Sequence, residues 1–121
     1  MIKGKNTNKL LQTIVAGIQE KKGKEIVSLD FSPIDNPVCK YFVICNGDSN
    51  THVNAIADSV DEFAQKQLNM TAWHVEGKGN AHWIILDFVD IVVHVFQKEY
   101  RLYYNLEDLW ADCKIKEYIE I

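Results

Sequence analysis

The sequence has few of the residues that would place it in a specialised structural class. Its 121 residues include three cysteines and two prolines, and both prolines, Pro33 and Pro37, fall in one short segment. The cysteines are odd in number and form no Cys-x-x-Cys pair, which argues against a disulfide framework or a zinc ribbon. No apolar run approaches the roughly 20 residues of a membrane span, and residues 1–5 lack the apolar stretch of an export signal. We therefore expect a cytoplasmic protein without membrane segments.

The sequence also lacks an excess of positive charge. It has 13 Lys and Arg against 17 Asp and Glu, a net charge of −4. Residues 1–30 carry a net charge of +3, whereas residues 31–98 carry −4 and residues 99–121 carry −3. A protein that grips nucleic-acid phosphates usually has a basic surface, so little direct nucleic-acid contact is expected. The negative net charge of residues 31–121 favours association with a basic partner instead.

The composition, with 47% hydrophobic and 25% charged residues, predicts one globular domain spanning residues 1–121. Apolar residues at helical spacing predict a first helix over Thr7–Lys22, with Gly23 at its left-handed end. A second helix is expected to start at Asp48 or Ser49, whose side-chain oxygens can cap it, and to end near Asn69.

Runs of β-forming residues between these helices and after them predict five strands. They are Glu25–Phe31, Lys40–Cys45, Thr71–Glu76, His82–Asp87 and Asp90–Phe96. Short helices follow at Glu99–Tyr104 and after Asn105, which is expected to cap the last one, and the tail Lys114–Ile121 fits either a strand or a frayed end. The order predicts an α+β fold with a mixed sheet of about five strands and the two long helices on one face.

Strand alternation divides the aromatic residues between the two faces of this sheet. Trp83, His94 and Phe96 fall on the face opposite the apolar residues that would meet the helices. If both helices cover one face, these side chains are presented to solvent as an interaction surface, which Tyr103, Tyr104 and Trp110 would extend. The alternatives are that the C-terminal helix covers this face and that His94 is a hydrogen-bonded histidine of the core, and the sequence alone leaves these open.

The polar residues allow two chemical hypotheses. Glu76, Asp87 and Asp90 lie near one edge of the sheet and could bind Mg²⁺, although acids at hairpin ends are also ordinary turn residues. The turn Gly47-Asp48-Ser49 precedes a helix and could bind an anion, but a turn followed by an N-cap is the better explanation. The four histidines form no metal-binding spacing, so no metal and no cofactor are expected.

Several segments together resemble one family. They are the run Tyr41-Phe-Val-Ile-Cys-Asn-Gly-Asp-Ser-Asn-Thr-His-Val-Asn-Ala-Ile-Ala-Asp58, Glu76-Gly77, Trp83-Ile-Ile-Leu-Asp87, Asp90-Ile-Val-Val-His-Val-Phe96 and the pattern from Arg101 to Asp112. In this order, over about residues 8–113, the chain resembles the ribosomal silencing factors, also called Iojap-like proteins. The family has Tyr-Gly before the position of Asp90, where this chain has Phe88-Val89, so the geometry of that turn is in question.

The resemblance implies a nucleotidyltransferase-like core without catalytic residues. It also implies a factor that binds ribosomal protein L-fourteen on the large subunit, blocks subunit joining and represses translation, and that can form a homodimer when free. The expected contacts are Trp83, Asp87, His94, Phe96, Tyr103 and Tyr104, with Glu76, Asp90 and Glu107 facing ribosomal Lys or Arg.

Two alternatives to this function remain. One is a divergent nucleotidyltransferase that binds nucleotide and Mg²⁺ at Gly47, Ser49, Asp87 and Asp90. The other is a homodimeric scaffold that uses the same face of the sheet.

Overall fold

The computed structural model describes residues 4–121, and side chains from residue 6 onward. Residues 1–3, which belong to the N-terminal segment expected to lack an export signal, lie outside the described residues. The helices are α1 (Gly4–Glu20), α2 (Asn50–Leu68), α3 (Lys98–Tyr104) and α4 (Leu106–Leu109). The strands are β1 (Lys24–Asp30), β2 (Tyr41–Gly47), β3 (His74–Glu76), β4 (Trp83–Asp87), β5 (Ile91–Gln97) and β6 (Lys114–Glu117).

The six strands form one mixed sheet in the order β3-β4-β5-β2-β1-β6. The central pair, β2 and β5, is parallel, and the other four pairings are antiparallel. The predicted mixed α+β sheet is confirmed, with six strands where about five were expected. The additional strand is β6, which the tail forms by pairing Lys114–Glu117 antiparallel with β1.

The two long helices pack against the same face of the sheet, as the sequence predicted. Their apolar side chains and those of alternate strand residues form one buried cluster: Leu10, Ile14, Ile18, Val53, Ile56, Val60, Val43, Cys45, Ile84, Leu86, Ile91, Val93 and Val95. The period of 3.6 in the helices and of 2 in the strands brings these residues together, because each element turns one apolar side inward. We call this the helix side of the sheet.

The end of α1 differs from the prediction in one detail. The left-handed residue is Lys22, with φ 60°, and not Gly23. The glycine is needed there for space, since a Cβ at this position would lie 2.3 Å from Cγ2 of Ile18. The N–H of Gly23 donates to the carbonyl of Ile18 at 3.0 Å, which closes the last turn and starts β1.

The start of α2 follows the prediction. Ser49 is the N-cap, and its side-chain oxygen accepts a hydrogen bond from the backbone N–H of His52 at 3.1 Å. The helix ends at Asn69, which adopts the left-handed conformation with φ 55°.

On the side of the sheet opposite the long helices, only half of the surface is covered. Over β1 and β2, Phe31 and Phe42 pack edge to face at 4.8 Å, and Trp110 packs on Phe31 at 5.1 Å. Leu106 of α4 joins this second apolar cluster. No helix within residues 4–121 is both long and apolar enough to cross a lipid bilayer.

Candidate functional site

The uncovered half of the sheet lies over β3, β4 and the beginning of β5. Strand pairing aligns His74 with Asp87, Glu76 with Ile85, and Asp87 with Val92, so these side chains share one face. We call this surface the open face, and its residues are His74, Glu76, Trp83, Ile85, Asp87 and Val92. Each of them is half-buried or exposed. It is the surface expected from strand alternation, although it is smaller than expected.

An aromatic group borders the open face. The ring of Trp83 lies 4.9 Å from Phe96 and 4.6 Å from Tyr104, which reaches it from α3. Tyr104 meets Tyr103 edge to face at 5.1 Å. Tyr103 is 80% exposed and Tyr104 47% exposed. We call these two tyrosines the aromatic rim; together with Trp83 they form an exposed aromatic surface of the kind found at the centre of protein interfaces.

The expectation that His94 and Phe96 are exposed on this surface is wrong. His94 is 5% exposed and Phe96 is fully buried. The reason is that Trp83 stacks over Phe96 and that α3 and α4 fold back onto the end of β5. These two residues therefore support the open face from beneath and cannot touch a partner without rearrangement.

Glu107 is also occupied within the chain. Its Oε2 accepts hydrogen bonds from Nε of Arg101 at 3.0 Å and from Nη2 at 2.7 Å. Arg101 is buried, and its Nη1 donates to the carbonyl of Glu25 at 2.6 Å and to Oδ1 of Asn46 at 2.8 Å. Glu107 therefore neutralises a buried guanidinium and is not free for a cationic partner. Sequence reasoning missed the role of Arg101, because its partners lie 55 and 76 residues away.

Asn105 stands at the N-cap position of α4, as predicted, but it does not cap the helix with its side chain. It adopts the left-handed conformation, with φ 49°, and its side chain makes no capping hydrogen bond to α4. Its backbone N–H donates to the carbonyl of Arg101 and thereby ends α3. Asn105 is the single residue that connects α3 to α4.

The two aspartates of the β4–β5 turn have structural partners. Oδ1 of Asp87 accepts a hydrogen bond from the N–H of Val89 at 2.7 Å. Oδ2 of Asp90 accepts one from the hydroxyl of Thr7 at 3.3 Å and lies 4.0 Å from Nζ of Lys40. Asp87 still borders the open face, whereas Asp90 contacts α1 on the helix side.

The residues of the nucleotidyltransferase alternative do not form one site. Gly47 ends β2, and Ser49 follows it, but Asp90 lies beside Tyr41 at the beginning of β2, where the N–H of Tyr41 donates to the carbonyl of Asp90. Six residues of extended strand separate the two groups by about 20 Å. That geometry excludes a shared nucleotide and Mg²⁺ site for these residues. No group of three or more His, Cys, Asp or Glu side chains within residues 6–121 is arranged to hold a metal ion.

The cysteines lie in the apolar clusters, as expected for small hydrophobic residues. Burial raises the pKa of the Cys45 thiol to about 12 and that of Cys39 to about 11. Thiols with such high pKa values are protonated at neutral pH and are poor nucleophiles.

Sequence reasoning did not assign His74 to the site, nor did it single out the exposed Trp73 beside it. Trp73 is 78% exposed next to β3, and its N–H donates to the carbonyl of Asp87. Nε2 of His74 lies 2.8 Å from Oε1 of Glu76, which holds two side chains of the open face together. Only the register of β3 against β4 would have placed His74 on this face. A strand of three residues is too short for its register to be predicted from the sequence.

Comparison with known proteins identifies the family. The model of the family described as ribosomal silencing factor during starvation matches residues 4–121. A ribosomal silencing factor of Halalkalibacterium halodurans is 38% identical over 93% of this chain and 94% of its own, and one of Bacillus subtilis is 37% identical over 93% of each. A crystal structure of a protein from Chromobacterium violaceum superimposes with a TM-score of 0.80 at 31% identity, over 86% of this chain and 85% of that one. This chain belongs to the ribosomal silencing factor family.

Proposed function

We propose that this protein binds the large ribosomal subunit in the cytoplasm through ribosomal protein L-fourteen, and that it thereby blocks joining of the small subunit. The open face and the aromatic rim form the binding surface, and no catalytic step is involved. The observation that supports this proposal is the uncovered half of the sheet. There Trp83 shares one face with the carboxylates of Glu76 and Asp87, and two exposed tyrosines border it.

The electrostatics of the surface fit a ribosomal protein. Glu76 and Asp87 lie on the open face, which contains no Lys or Arg among its six residues. Most ribosomal proteins are basic, so an acidic surface favours their encounter and requires no RNA contact. A standard interface buries about 800 Å² of each partner, so the interface is expected to extend beyond the six residues of the open face to the aromatic rim and its neighbours.

The mechanism is steric. A domain of this length has a radius of gyration of about 14 Å. A copy bound between the two ribosomal subunits would therefore hold their surfaces too far apart for direct contact. Repression then requires only that the bound protein remains in place while small subunits are present. Repression of translation by this route needs no catalytic step.

The charge of the open face gives a sharp test. Glu76→Lys should weaken binding to purified large subunits at least tenfold, because it places a cation against a basic partner. Glu62→Lys makes the same change on the exposed surface of α2, where Glu62 pairs with Lys66 at 3.2 Å, and should bind as the unaltered protein does. Binding is measured by co-sedimentation, and subunit joining by light scattering. Equal effects of the two variants, or subunit joining unaffected by excess protein, would refute the proposal.

The same surface is also proposed to mediate a homodimer of the free protein. The aromatic rim would then contact either a second copy or the large subunit, and the two forms would exclude each other. Replacing Tyr103 by alanine, which removes an 80% exposed side chain, should weaken both self-association and large-subunit binding. Loss of only one of them would show that the surfaces are separate.

A further inference from the structure

A histidine lies beneath the open face, in the middle of the central strand β5. His94 pairs with Ile44 on one side and with Ile85 on the other, and it is 5% exposed. A buried imidazole among apolar strands is unfavourable unless its nitrogen atoms have partners. An aliphatic residue would fill this position without that cost, so the histidine calls for an explanation.

The contacts of His94 fix its chemical form. Its Nδ1 lies 3.1 Å from Nε1 of Trp83. An indole nitrogen can only donate, so Nδ1 is the acceptor, and the proton of the neutral ring is on Nε2. Nε2 is buried and has no hydrogen-bond partner among the described residues. The histidine therefore leaves one polar atom unpartnered while providing an acceptor to Trp83.

The ring is held among aromatic neighbours. Its centroid lies 4.4 Å from that of Phe42 and 5.8 Å from that of Trp83. Burial in this environment lowers the pKa of His94 to about 3, so the ring stays neutral and keeps Nδ1 available as an acceptor at neutral pH. A carboxylate could also accept the indole proton, but it would bring an unpaired charge into the cluster.

Trp83 needs such a partner because stacking alone does not fix its orientation. Its indole ring lies against Phe96 at 4.9 Å and Tyr104 at 4.6 Å, and aromatic contacts tolerate rotation of one ring over another. A hydrogen bond to a strand residue selects one of these orientations. The exposed part of Trp83 is then presented to a partner in a defined way.

We propose that His94 is the positioning residue of the open face, because its Nδ1 fixes the indole ring of Trp83 in the orientation that the binding partner recognises. The hydrogen bond is a property of the free protein, whereas its consequence for binding rests on the proposed function. Preorganisation of one aromatic contact lowers the entropy lost on association and thus strengthens binding.

The first experiment uses the unaltered protein and needs no partner. A long-range ¹H–¹⁵N NMR spectrum of the imidazole rings identifies the tautomer of each histidine. We expect His94 to carry its proton on Nε2 and to have Nδ1 as an unprotonated acceptor. A proton on Nδ1 would overturn the proposal, because that nitrogen could not then accept from Trp83.

The second experiment compares two variants that differ in the acceptor. In His94→Asn, Oδ1 takes approximately the position of Nδ1, whereas His94→Leu has a similar volume and no acceptor. The Trp83→Phe variant assigns the NMR signal of the Trp83 indole N–H. We expect this proton to exchange with solvent at least tenfold faster in His94→Leu than in the unaltered protein, and at a nearly unchanged rate in His94→Asn. Large-subunit binding should be at least fivefold weaker for His94→Leu and within about twofold of normal for His94→Asn, with folding of each variant checked by urea unfolding.

The outcomes separate the two proposals. Slow exchange of the Trp83 indole proton in His94→Leu, or equal loss of binding in both variants, would overturn the positioning role. If Trp83→Phe binds large subunits normally, the proposed use of the open face fails. The tautomer and the exchange rates then still decide whether His94 holds Trp83.

Discussion

Val89 occupies a backbone conformation that β-branched residues rarely adopt. Its φ is 75°, and the N–H of Asp90 donates to the carbonyl of Phe88 at 3.0 Å across it. A hydrogen bond between residues i and i+2 around a positive φ defines the classic form of γ-turn, which is strained. This is the position where the resemblance to the family raised a question about the turn, and the chain keeps the turn despite its valine.

Val89→Gly should stabilise the protein. Glycine adopts positive φ without strain, and the relief of about 1–3 kcal/mol exceeds the entropy that glycine adds to the unfolded chain, which leaves a net gain of about 1 kcal/mol. The urea midpoint measures this gain. Val38→Gly is the matched control, because Val38 is similarly exposed but has no positive φ, and it should lower stability. A loss of stability in both variants would contradict the interpretation.

His94 gives the folded protein a specific dependence on acid. Burial lowers its pKa from 6.5 to about 3, so between these values the unfolded chain binds a proton that the folded protein does not. The free energy of unfolding therefore falls as the pH falls through this window, by about 2 kcal/mol between pH 8 and pH 5. His94→Leu should lose this part of the pH dependence, since all other titratable groups are common to both proteins. Parallel stability curves from urea unfolding would contradict the prediction.

The two long helices cross at Gly17 with their backbones in close contact. A Cβ at this position would lie 3.1 Å from Cα of Val60 and 3.2 Å from the carbonyl oxygen of Ser59. The hydroxyl of Ser59 donates to the carbonyl of Gly17 at 2.7 Å across the same crossing. Because the nearest atoms belong to the backbone of α2, a methyl group can be accommodated only if the helices move apart.

Gly17→Ala should therefore destabilise the protein, although alanine is the better helix former. The gain in helix propensity is about 1 kcal/mol, whereas overpacking of a well-packed contact costs about 1–3 kcal/mol and also stretches the hydrogen bond from Ser59. We expect a net loss of about 1 kcal/mol in urea unfolding. Gly79→Ala is the control, because no atom lies within 4 Å of the added Cβ, and it should be neutral or slightly stabilising.

Much of the fold could be predicted from local patterns, for a physical reason. In α1, α2 and β4 the apolar period matches the element, and each buries one side, so the sequence indicates both the element and the face. The tail could not be assigned in this way. The residues of β6 are all exposed, and the strand exists only because β1 offers a free edge to pair with.

The candidate site was predicted less completely, because contacts between residues far apart in the sequence determine which part of the sheet the C-terminal helices cover. Alternation correctly placed His94 and Phe96 on the side opposite the helices, but it carries no information about whether α3 covers them. That depends on Arg101, whose partners Glu25 and Asn46 come from other strands. The exposed part of the surface, with Trp83 and Tyr104, is what remains after this covering.

One buried cation connects the short C-terminal helices α3 and α4 to the sheet. Arg101 connects α3 to the beginning of β1, the end of β2 and α4 in a single set of hydrogen bonds. The tyrosines of the aromatic rim, Tyr103 and Tyr104, lie two and three residues after Arg101 on α3. The position of the rim relative to Trp83 therefore depends on this guanidinium, which links the packing of the whole molecule to its proposed function.

Arg101→Lys should separate these consequences. A lysine keeps the charge, but its ammonium group cannot donate hydrogen bonds to Glu25, Asn46 and Glu107 together as the planar guanidinium does. The free energy of unfolding, measured with urea, should therefore fall by about 3 kcal/mol. Amide hydrogen exchange in residues 98–110 should speed up more than in β2 and β5, because α3 is released before the sheet opens. Large-subunit binding, measured where the variant is still folded, should weaken at least fivefold through the displaced rim.

The matched control for Arg101→Lys lies on the same short helix. Lys98 pairs with Glu25 at 3.8 Å, and both side chains are largely exposed, so Lys98→Met should change stability by less than about 1 kcal/mol and leave exchange in α3 unaltered. If Arg101→Lys lowers stability but leaves the exchange pattern and the binding of folded protein unchanged, the cation is a packing element only. Selective release of α3 together with weaker binding would mean that the rim is functional because Arg101 fixes it to the sheet.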